Sequence, residues 1–256
     1  MSSISEVPIE ERLRQLALGA PRGFSERVVA RYTTIPGPVG ELHVAWTAIG
    51  VAAVEFAARS DEESFVAAFR RRRGRPIVPA ARPLAGLAAA LRSGRGAALA
   101  YDLSGLSEFE RRVLGATLSI PVGEVRPYAW VAAAIDRPRA VRAVGSALGR
   151  NPVPVLIPCH RVTRSDGTIG NYGGGPALKE ALLRAEGANL DELAALAAAG
   201  VHYVGSATTK IVCLPTCQQA RRIAPRHRRG FGALAEAGSA GYRPCRRCRP
   251  GPGQPG

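Results

Sequence analysis

From Glu26 onward, apolar and polar positions alternate with period two. Leu42, Val44 and Trp46 fall on one face, the turn signal Ala48-Ile49-Gly50 follows, and Val51 to Phe56 returns, which predicts a β-hairpin. The period then lengthens. Glu62 to Phe69 predicts a helix ending in the basic run Arg70 to Arg73, Pro76 to Pro83 a loop, and Leu84 to Leu91 another helix. The chain to about Leu103 therefore reads as a small α/β unit. Ahead of it, residues 1–24 form a charged lead-in in which Ile9 to Leu18 has the pattern of a short amphipathic helix.

Beyond that unit the pattern is helical. Phe109 to Thr117 predicts one helix, Tyr128 to Ile135 a second, and Arg139 to Leu148 a third, with Asp136 as its N-cap and Pro138 in its first turn. Two short helices joined by a tight turn, the second bearing Arg139 and Arg142, form a helix-turn-helix signature. Pro176 to Glu186 is a helix stopped by Gly187, and Asp191 to Ala199 is a helix stopped by Gly200 that connects to the last segment. Between these helices, Val153 to Ile157 is too apolar for a loop and too rich in proline for a helix. It predicts a short buried extended segment, with Pro158 holding Ile157 extended at its end. Gly173-Gly174-Gly175 is a flexible loop and not a phosphate loop, because no Gly-Lys-Ser/Thr follows it.

That buried segment ends in Ile157-Pro158-Cys159-His160-Arg161-Val162, which sets a thiol beside an imidazole at the floor of a pocket. A free cysteine is only slightly ionised at neutral pH, so a nucleophilic one needs a base or a positive neighbour. His160 and Arg161 are at hand. On these six residues alone, a reactive thiol and a buried structural thiol are both open.

The chain of 256 residues is long enough for two or three small domains. No run of eighteen uncharged apolar residues occurs, the nearest being Leu42 to Ala58 with His43 and Glu55 inside it, and no basic-then-apolar leader opens the chain. The expectation is a cytoplasmic protein with no membrane partner. A formal charge of +15 points to a polyanionic partner. Only Lys179 and Lys210 are lysines, so a coding bias toward arginine is a competing source of that charge. Residues 201–256, however, hold ten basic side chains and the single acid Glu236, and a bias toward arginine does not remove acids.

The same segment carries Cys213-x3-Cys217 and Cys245-x2-Cys248, separated by 27 residues. Two close pairs bracketing a small domain suit a tetrahedral four-thiolate zinc site. Two disulfides are the alternative, disfavoured in a chain without an export signal.

Tyr128, Arg142, Asn151, Cys159-His160-Arg161-Val162, Gly170-Asn171-Tyr172 and Glu186 together resemble the O6-alkylguanine-DNA alkyltransferase family, whose members move an alkyl group from a damaged base onto their own cysteine. The resemblance runs from about Phe109 to Gly187, through Ile120-Pro121-Val122-Gly123-Glu124-Val125, Arg142-Ala143-Val144-Gly145 and Asn151-Pro152-Val153-Pro154. The segment with the four cysteines resembles the zinc domain of Ada-type methylphosphotriester-repair proteins. It does so through Thr208-Thr209-Lys210-Ile211-Val212-Cys213, Pro215-Thr216-Cys217 and Gly241 to Pro250. It departs from the Ada pattern by following the alkyltransferase segment and by leaving no room for the paired DNA-binding modules of Ada-type regulators.

The resemblance implies an α/β-plus-α chain. A ribonuclease-H-like α/β domain would span 25–105, a helix-turn-helix (winged-helix-like) alkyltransferase domain 106–188, a connector 189–200, and a small α+β zinc domain 201–250, between the extension 1–24 and a disordered tail 251–256. It makes Cys159 the alkyl acceptor, His160 its base, Glu186 the group orienting the imidazole, Asn151 a backbone tie and Tyr128 a proton donor that also steers the flipped nucleotide. Arg142 fills the gap left in the duplex, and Arg139, Ala143 and Gly145 share the DNA-binding helix. Pro154, Val162, Tyr172 and Gly173 line the substrate pocket, Gly173 standing where the family often has serine. One zinc ion sits on Cys213, Cys217, Cys245 and Cys248, with Cys213 as a second methyl acceptor. The partner is alkylated double-stranded DNA, bound in the minor groove by a monomer with little sequence preference, with repair of O6-alkylguanine and O4-methylthymine. Two other classes stay open: a cysteine hydrolase using Cys159 and His160, and a DNA-damage sensor that does not react, its zinc domain purely structural.

Overall fold

The computed structural model describes residues 28–251, so the N-terminal amphipathic helix expected over Ile9 to Leu18 and the tail from 252 lie outside the described residues. These residues fall into two compact units. The first comprises the chain to Pro36, Gly40–Leu87 and Leu99–Asp102, and the second Gly37–Val39, Ala88–Ala98 and everything from Leu103.

In the first unit, strands β1 (Ala30–Gly37), β2 (Gly40–Trp46), β3 (Val51–Phe56) and β4 (Ile77–Pro79) form a sheet of order β3-β2-β1-β4. The expected hairpin is present: β2 and β3 pair antiparallel, with Leu42 opposite Phe56 and Val44 opposite Val54. Helix α1 (Glu62–Arg73) is capped by Asp61, which accepts from the Ser64 N–H, and ends at Gly74 with φ 60°. It runs on through the arginines, since cations at a helix C-terminus oppose the macrodipole favourably. Phe65 and Phe69, one turn apart, are buried against Ala30, Tyr32, Ala45 and Ile77. The expected loop over Pro76 to Pro83 is corrected in part, because Ile77–Pro79 pairs parallel with β1. As an edge strand it tolerates Pro79, and the flanking prolines masked it in the sequence.

The second unit begins with α2 (Leu87–Ser93), most of which belongs here. Then α3 (Glu108–Leu118) starts in a capping box between Ser107 and Glu110. Hydrogen bonds from Ser107, and then from Arg150, hold the Glu110 carboxyl down at about 2. Helices α4 (Tyr128–Ala134) and α5 (Val141–Gly149) pack on α3 and on each other. The turn between them differs from expectation. Asp136 has φ 57°, donates its N–H to Ala133 O, and is followed by Arg137 donating to Ala132 O. That is a Schellman motif, so Asp136 closes α4 rather than capping α5. Helix α5 starts later, after Ala140, without a side-chain cap, and Arg139 lies ahead of it.

The expected extended segment at 153–157 is likewise corrected. Val153, Val155, Leu156 and Ile157 are buried as predicted, but the backbone turns sharply. Val155 has φ 71° and is bridged by a hydrogen bond from Leu156 N to Pro154 O, a γ-turn of the rare positive-φ kind. Pro158, at φ −82° and ψ 62°, is bridged by Cys159 N to Ile157 O, an inverse γ-turn. Tight turns satisfy buried backbone groups within the segment, which an unpaired strand could not do.

Two-residue strands β5 (Arg126–Pro127) and β6 (Val162–Thr163) pair parallel beside a 3-10 turn at Cys159–Arg161. Helices α6 (Pro176–Ala185) and α7 (Leu190–Ala198) end at Gly187 and Gly200 as predicted. A second sheet of order β10-β8-β7-β9 follows, made of β7 (Tyr203–Ser206), β8 (Ile211–Cys213), β9 (Arg228–Phe231) and β10 (Arg243–Pro244). Helices α8 (Gln218–Arg221) and α9 (Leu234–Ser239) flank it, and its core is Tyr203, Val212, Phe231, Tyr242 and the four C-terminal cysteines. The fold is thus mixed α/β with three sheets. No helix among the described residues is long and apolar enough to cross a membrane.

Two glycines should respond in opposite directions to alanine. At Gly50 (φ 153°) a Cβ would lie 2.3 Å from the Ala100 backbone, which hydrogen bonds to Val51 hold in place. Gly50→Ala should destabilise by about 1–3 kcal/mol. Gly115 is exposed within α3 with nothing near its Cβ position, and Gly115→Ala should stabilise by roughly 0.5–1 kcal/mol. Denaturant midpoints of the two variants decide both signs.

Candidate active site

The two γ-turns deliver Cys159 to the start of the 3-10 turn, where the residue is 8% exposed. Asn151, just past α5, holds this geometry. Its Nδ2 donates to Ile157 O (2.9 Å) and to Cys159 Sγ (3.1 Å), while its Oδ1 accepts from Val153 N (3.0 Å). The expected backbone tie is therefore present, with a direct bond to sulfur added. Burial pushes the Cys159 thiol above its ordinary range, against the hydrogen bond from Asn151, the charge of Lys179 and the Tyr172 hydroxyl. The resting sulfur is protonated at neutral pH.

His160 is fully buried, and its Nε2 lies 2.9 Å from Glu186 Oε1. A carboxylate can only accept, so Nε2 carries the proton and Nδ1 presents a lone pair. Nδ1 has no hydrogen-bond partner among the described residues. Burial lowers the pKa of the imidazole, and the bond to Glu186 offsets this only in part. Burial alone would raise the Glu186 carboxyl. The hydrogen bonds from His160 and Arg161 outweigh it and hold Glu186 at about 2. Arg161, beside the thiol in sequence, does not serve it. It grips Glu186 through Nε (2.8 Å) and Nη2 (2.7 Å), and its other N–H groups reach Ile120 O and Gly94 O, both at 2.7 Å.

Lys179 was missed by the sequence reading. On α6 it is fully buried, its Nζ 2.5 Å from Val162 O and 3.5 Å from Asn171 O, and 5.9 Å from the centre of the Tyr128 ring. Burial lowers its pKa to about 8, although the Cys159 thiolate would favour its charge. The available signal was one of only two lysines in an arginine-rich chain, at an inward position of a helix beside the thiol.

Tyr128 opens α4 directly after β5, whose partner strand follows the 3-10 turn, and burial and the nearby sulfur raise its pKa. Val162 is buried, Pro154 and Tyr172 are half-buried, and Gly173 is exposed with open space at its Cβ position. Arg139, Arg142 and Ala143 are exposed, and Gly145 is half-buried under the Tyr128 ring. The structure thus sets Asn151 on the thiol, Tyr128 within its electrostatic reach and Glu186 on the His160 ring, and leaves the arginines exposed.

In the C-terminal segment, the sulfurs of Cys213, Cys217, Cys245 and Cys248 all lie within 4.8 Å of one another, and all are buried free thiols. Tetrahedral Zn–S bonds of about 2.3 Å place sulfurs roughly 3.8 Å apart, so the donor set fits a tetrahedral thiophilic metal. Four sulfurs converging on one point do not fit two separate disulfides.

A buried thiol held by an amide donor, next in sequence to an imidazole with an unpartnered ring nitrogen, offers the groups that a cysteine nucleophile needs. Residues 108–188 match the family model "6-O-methylguanine DNA methyltransferase, DNA binding domain", and residues 194–251 match "Metal binding domain of Ada". The methylated-DNA–protein-cysteine methyltransferase of Rattus norvegicus is 51% identical over 92 residues, 35% of this chain and 44% of that protein. The Homo sapiens protein of that name is 49% identical over 94 residues, 36% of this chain and 45% of that protein. The chain thus spans about half the length of the curated relatives it matches. The structure of Mycobacterium tuberculosis OGT in complex with DNA aligns with TM-score 0.50 and 30% identity, over 65% of this chain and 99% of that one. The chain belongs to the O6-methylguanine-DNA methyltransferase family and carries a C-terminal Ada metal-binding domain.

The thiol should titrate above the ordinary free-cysteine range of about 8.5. Removing a donor to sulfur should raise it further in Asn151→Ala. Peptide-resolved iodoacetamide labelling against pH measures this, and a Cys159 thiolate already formed at neutral pH would contradict it.

Proposed function

We propose that this protein is a single-turnover DNA-repair methyltransferase that takes an alkyl group from O6-alkylguanine, and from O4-methylthymine, onto Cys159. The observation that carries the reading is the buried Cys159 thiol held by Asn151, next to a buried His160 whose Nε2 is anchored on Glu186 and whose Nδ1 is left unpartnered. Helices α4 and α5 serve as the helix-turn-helix, on a winged-helix-like domain covering 106–188. This domain follows a ribonuclease-H-like domain at 25–105 and precedes the metal domain at 201–250. A monomer binds the minor groove with little sequence preference, as suits lesions that occur in any context. The alkylated nucleotide is flipped out of the stack, because the thiol cannot reach it inside the duplex. Arg142, exposed and without a side-chain partner among the described residues, fills the gap. Arg139, Ala143 and Gly145 accompany it at the DNA surface.

The chemistry is an in-line displacement at carbon. His160 Nδ1 takes the thiol proton, directly or through water, while Lys179 and Asn151 favour the thiolate that forms. A sulfur–carbon bond forms and the carbon–O6 bond breaks, its electron pair leaving with guanine. Tyr128 and the backbone around Tyr172 and Gly173 supply the proton that the departing base needs. Open space at Gly173 and the half-buried Pro154, beside Val162, shape the pocket. The thioether product has no easy leaving group, so one protein repairs one lesion. A hydrolase reading would require turnover, and a non-reacting sensor has no use for an activated thiol.

Zinc is the metal that best fits the four C-terminal thiols, and when bound it keeps them deprotonated at neutral pH. Cys213 is then a second acceptor, for the methyl of a DNA methylphosphotriester. The nine arginines and one lysine of residues 201–256 suit a phosphate backbone.

Intact-protein and peptide mass spectrometry after exposure to duplex DNA carrying O6-methylguanine should show one methyl replacing one hydrogen on Cys159, and then no further gain. Repeated turnover, or an unmodified Cys159, would overturn the reading. Cys159→Ser should lose transfer while keeping DNA affinity within about twofold, since a hydroxyl is far less ionised than a thiol. Arg142→Ala should slow repair in duplex more than in single-stranded substrate. Equal losses would make Arg142 an ordinary phosphate contact.

A further inference from the structure

We propose that the C-terminal metal domain braces the helix that carries Tyr128, with Trp130 as the positioning residue, so that the metal site supports alkyl transfer at Cys159. The inference rests on the reading above, in which Tyr128 steers the flipped nucleotide.

Helix α4 is only seven residues long, and its N-cap, Pro127, makes no side-chain cap bond. A helix this short has little stability of its own, so tertiary contacts set its position. It packs on α3 and α5, and at its N-terminal end the metal domain adds contacts of its own. Trp130, two residues after Tyr128, donates its indole N–H to the carbonyl of Cys248 at 2.8 Å, and its ring packs against the metal domain's core. Thr216, between the ligands Cys213 and Cys217, accepts from Val125 N (2.9 Å) and donates to Val125 O (3.2 Å).

A buried ionic link closes the loop. Glu124, 1% exposed, binds Arg126 at 2.5 Å, accepts from Gln218 N at 3.1 Å and faces Arg247 at 3.6 Å. The Arg126 guanidinium in turn lies 5.7 Å from the centre of the Trp130 ring. Backbone atoms of one metal ligand and the side chain of a residue between two others are thus fastened on both sides of β5, the strand that pairs beside the Cys159 turn and runs into Tyr128. Small domains built around a four-thiolate metal site characteristically unfold when the metal leaves. Metal loss would therefore release α4, although Cys159 is not a ligand.

The test uses the full chain as wild type, as metal-stripped wild type, and as Trp130→Phe and Thr216→Val with metal bound. Single-turnover transfer is measured from methylated duplex DNA and from the free O6-alkylguanine base, whose capture needs no steering of a nucleotide backbone. Amide hydrogen exchange is followed over residues 128–134. Metal removal should speed exchange there, and metal removal and Trp130→Phe should each slow the duplex reaction by up to about tenfold, the worth of one hydrogen bond. The free-base rate should fall less than the duplex rate, because the free base draws only on the Tyr128 proton and has no nucleotide backbone for Tyr128 to steer. Thr216→Val should move both readouts in the same direction, and it covers the case in which Trp130→Phe fails to fold. Equal slowing of duplex and free-base transfer would mean a collapsed site, and unchanged exchange and rates would mean independent domains. Either result overturns the brace. A wild type that transfers nothing would instead sink the functional reading, leaving the exchange measurement to decide the brace alone.

Discussion

The carboxylate of Glu186 is the constraint on which the site depends. It caps the C-terminus of α6, where the helix dipole disfavours a negative charge, and it is largely buried. Such a group survives only with strong partners: the forked guanidinium of Arg161 and the ring N–H of His160, with a longer bond from the Gly123 N–H (3.4 Å) beside them. Removing one partner from a buried ionic arrangement of this kind costs about 3–5 kcal/mol. The same carboxylate fixes which His160 nitrogen carries the proton. Arg161, committed to Glu186, draws in the carbonyls of Ile120 and Gly94 rather than approaching the sulfur. The positive charge that acts on the thiol comes instead from Lys179, whose depressed pKa reflects its burial.

Around this anchor the backbone is held in conformations it would not choose freely. Val155 is β-branched at positive φ, a state that costs roughly 1–3 kcal/mol and persists only where the surroundings over-determine it. The surroundings here are the three hydrogen bonds of Asn151 and the burial of Val153, Leu156 and Ile157. Strain in this turn sets Cys159 at the entrance to the 3-10 turn, with Asn151 on one side and the β5–β6 ladder on the other. A protonated thiol in that position is inert until a proton can be passed on, which suits an acceptor that reacts only once.

Much of this was legible in the sequence, for physical reasons that differ by region. The hairpin at 42–56 and the helices ended by Gly187 and Gly200 follow from periodicity and left-handed stop signals, which are local. Strand Ile77–Pro79 was not legible, since it exists only through pairing with Ala30–Tyr32 far away in the chain. Asp136 was misread because the same residue type can open a helix or close one, and only the hydrogen bonds from Asp136 and Arg137 decide. At the site, the motif resemblance brought together Asn151, Cys159, His160 and Glu186; the structure bonds Asn151 to the Cys159 sulfur and His160 to Glu186. It gave no role to Lys179 or Trp130, whose importance lies in the partners they meet: a carbonyl beside the thiol for one, and the carbonyl of a cysteine in another domain for the other.

The central claim is that His160 rests neutral, with its proton on Nε2 and its Nδ1 lone pair available to the thiol. Nuclear magnetic resonance of isotope-labelled histidine, with His160 assigned by comparison with His160→Gln, reads both ring nitrogens directly. The account predicts a neutral ring with a protonated Nε2 at neutral pH, remaining so below the usual imidazole range of about 6.5. An imidazolium at neutral pH, or a neutral ring protonated at Nδ1, would contradict it.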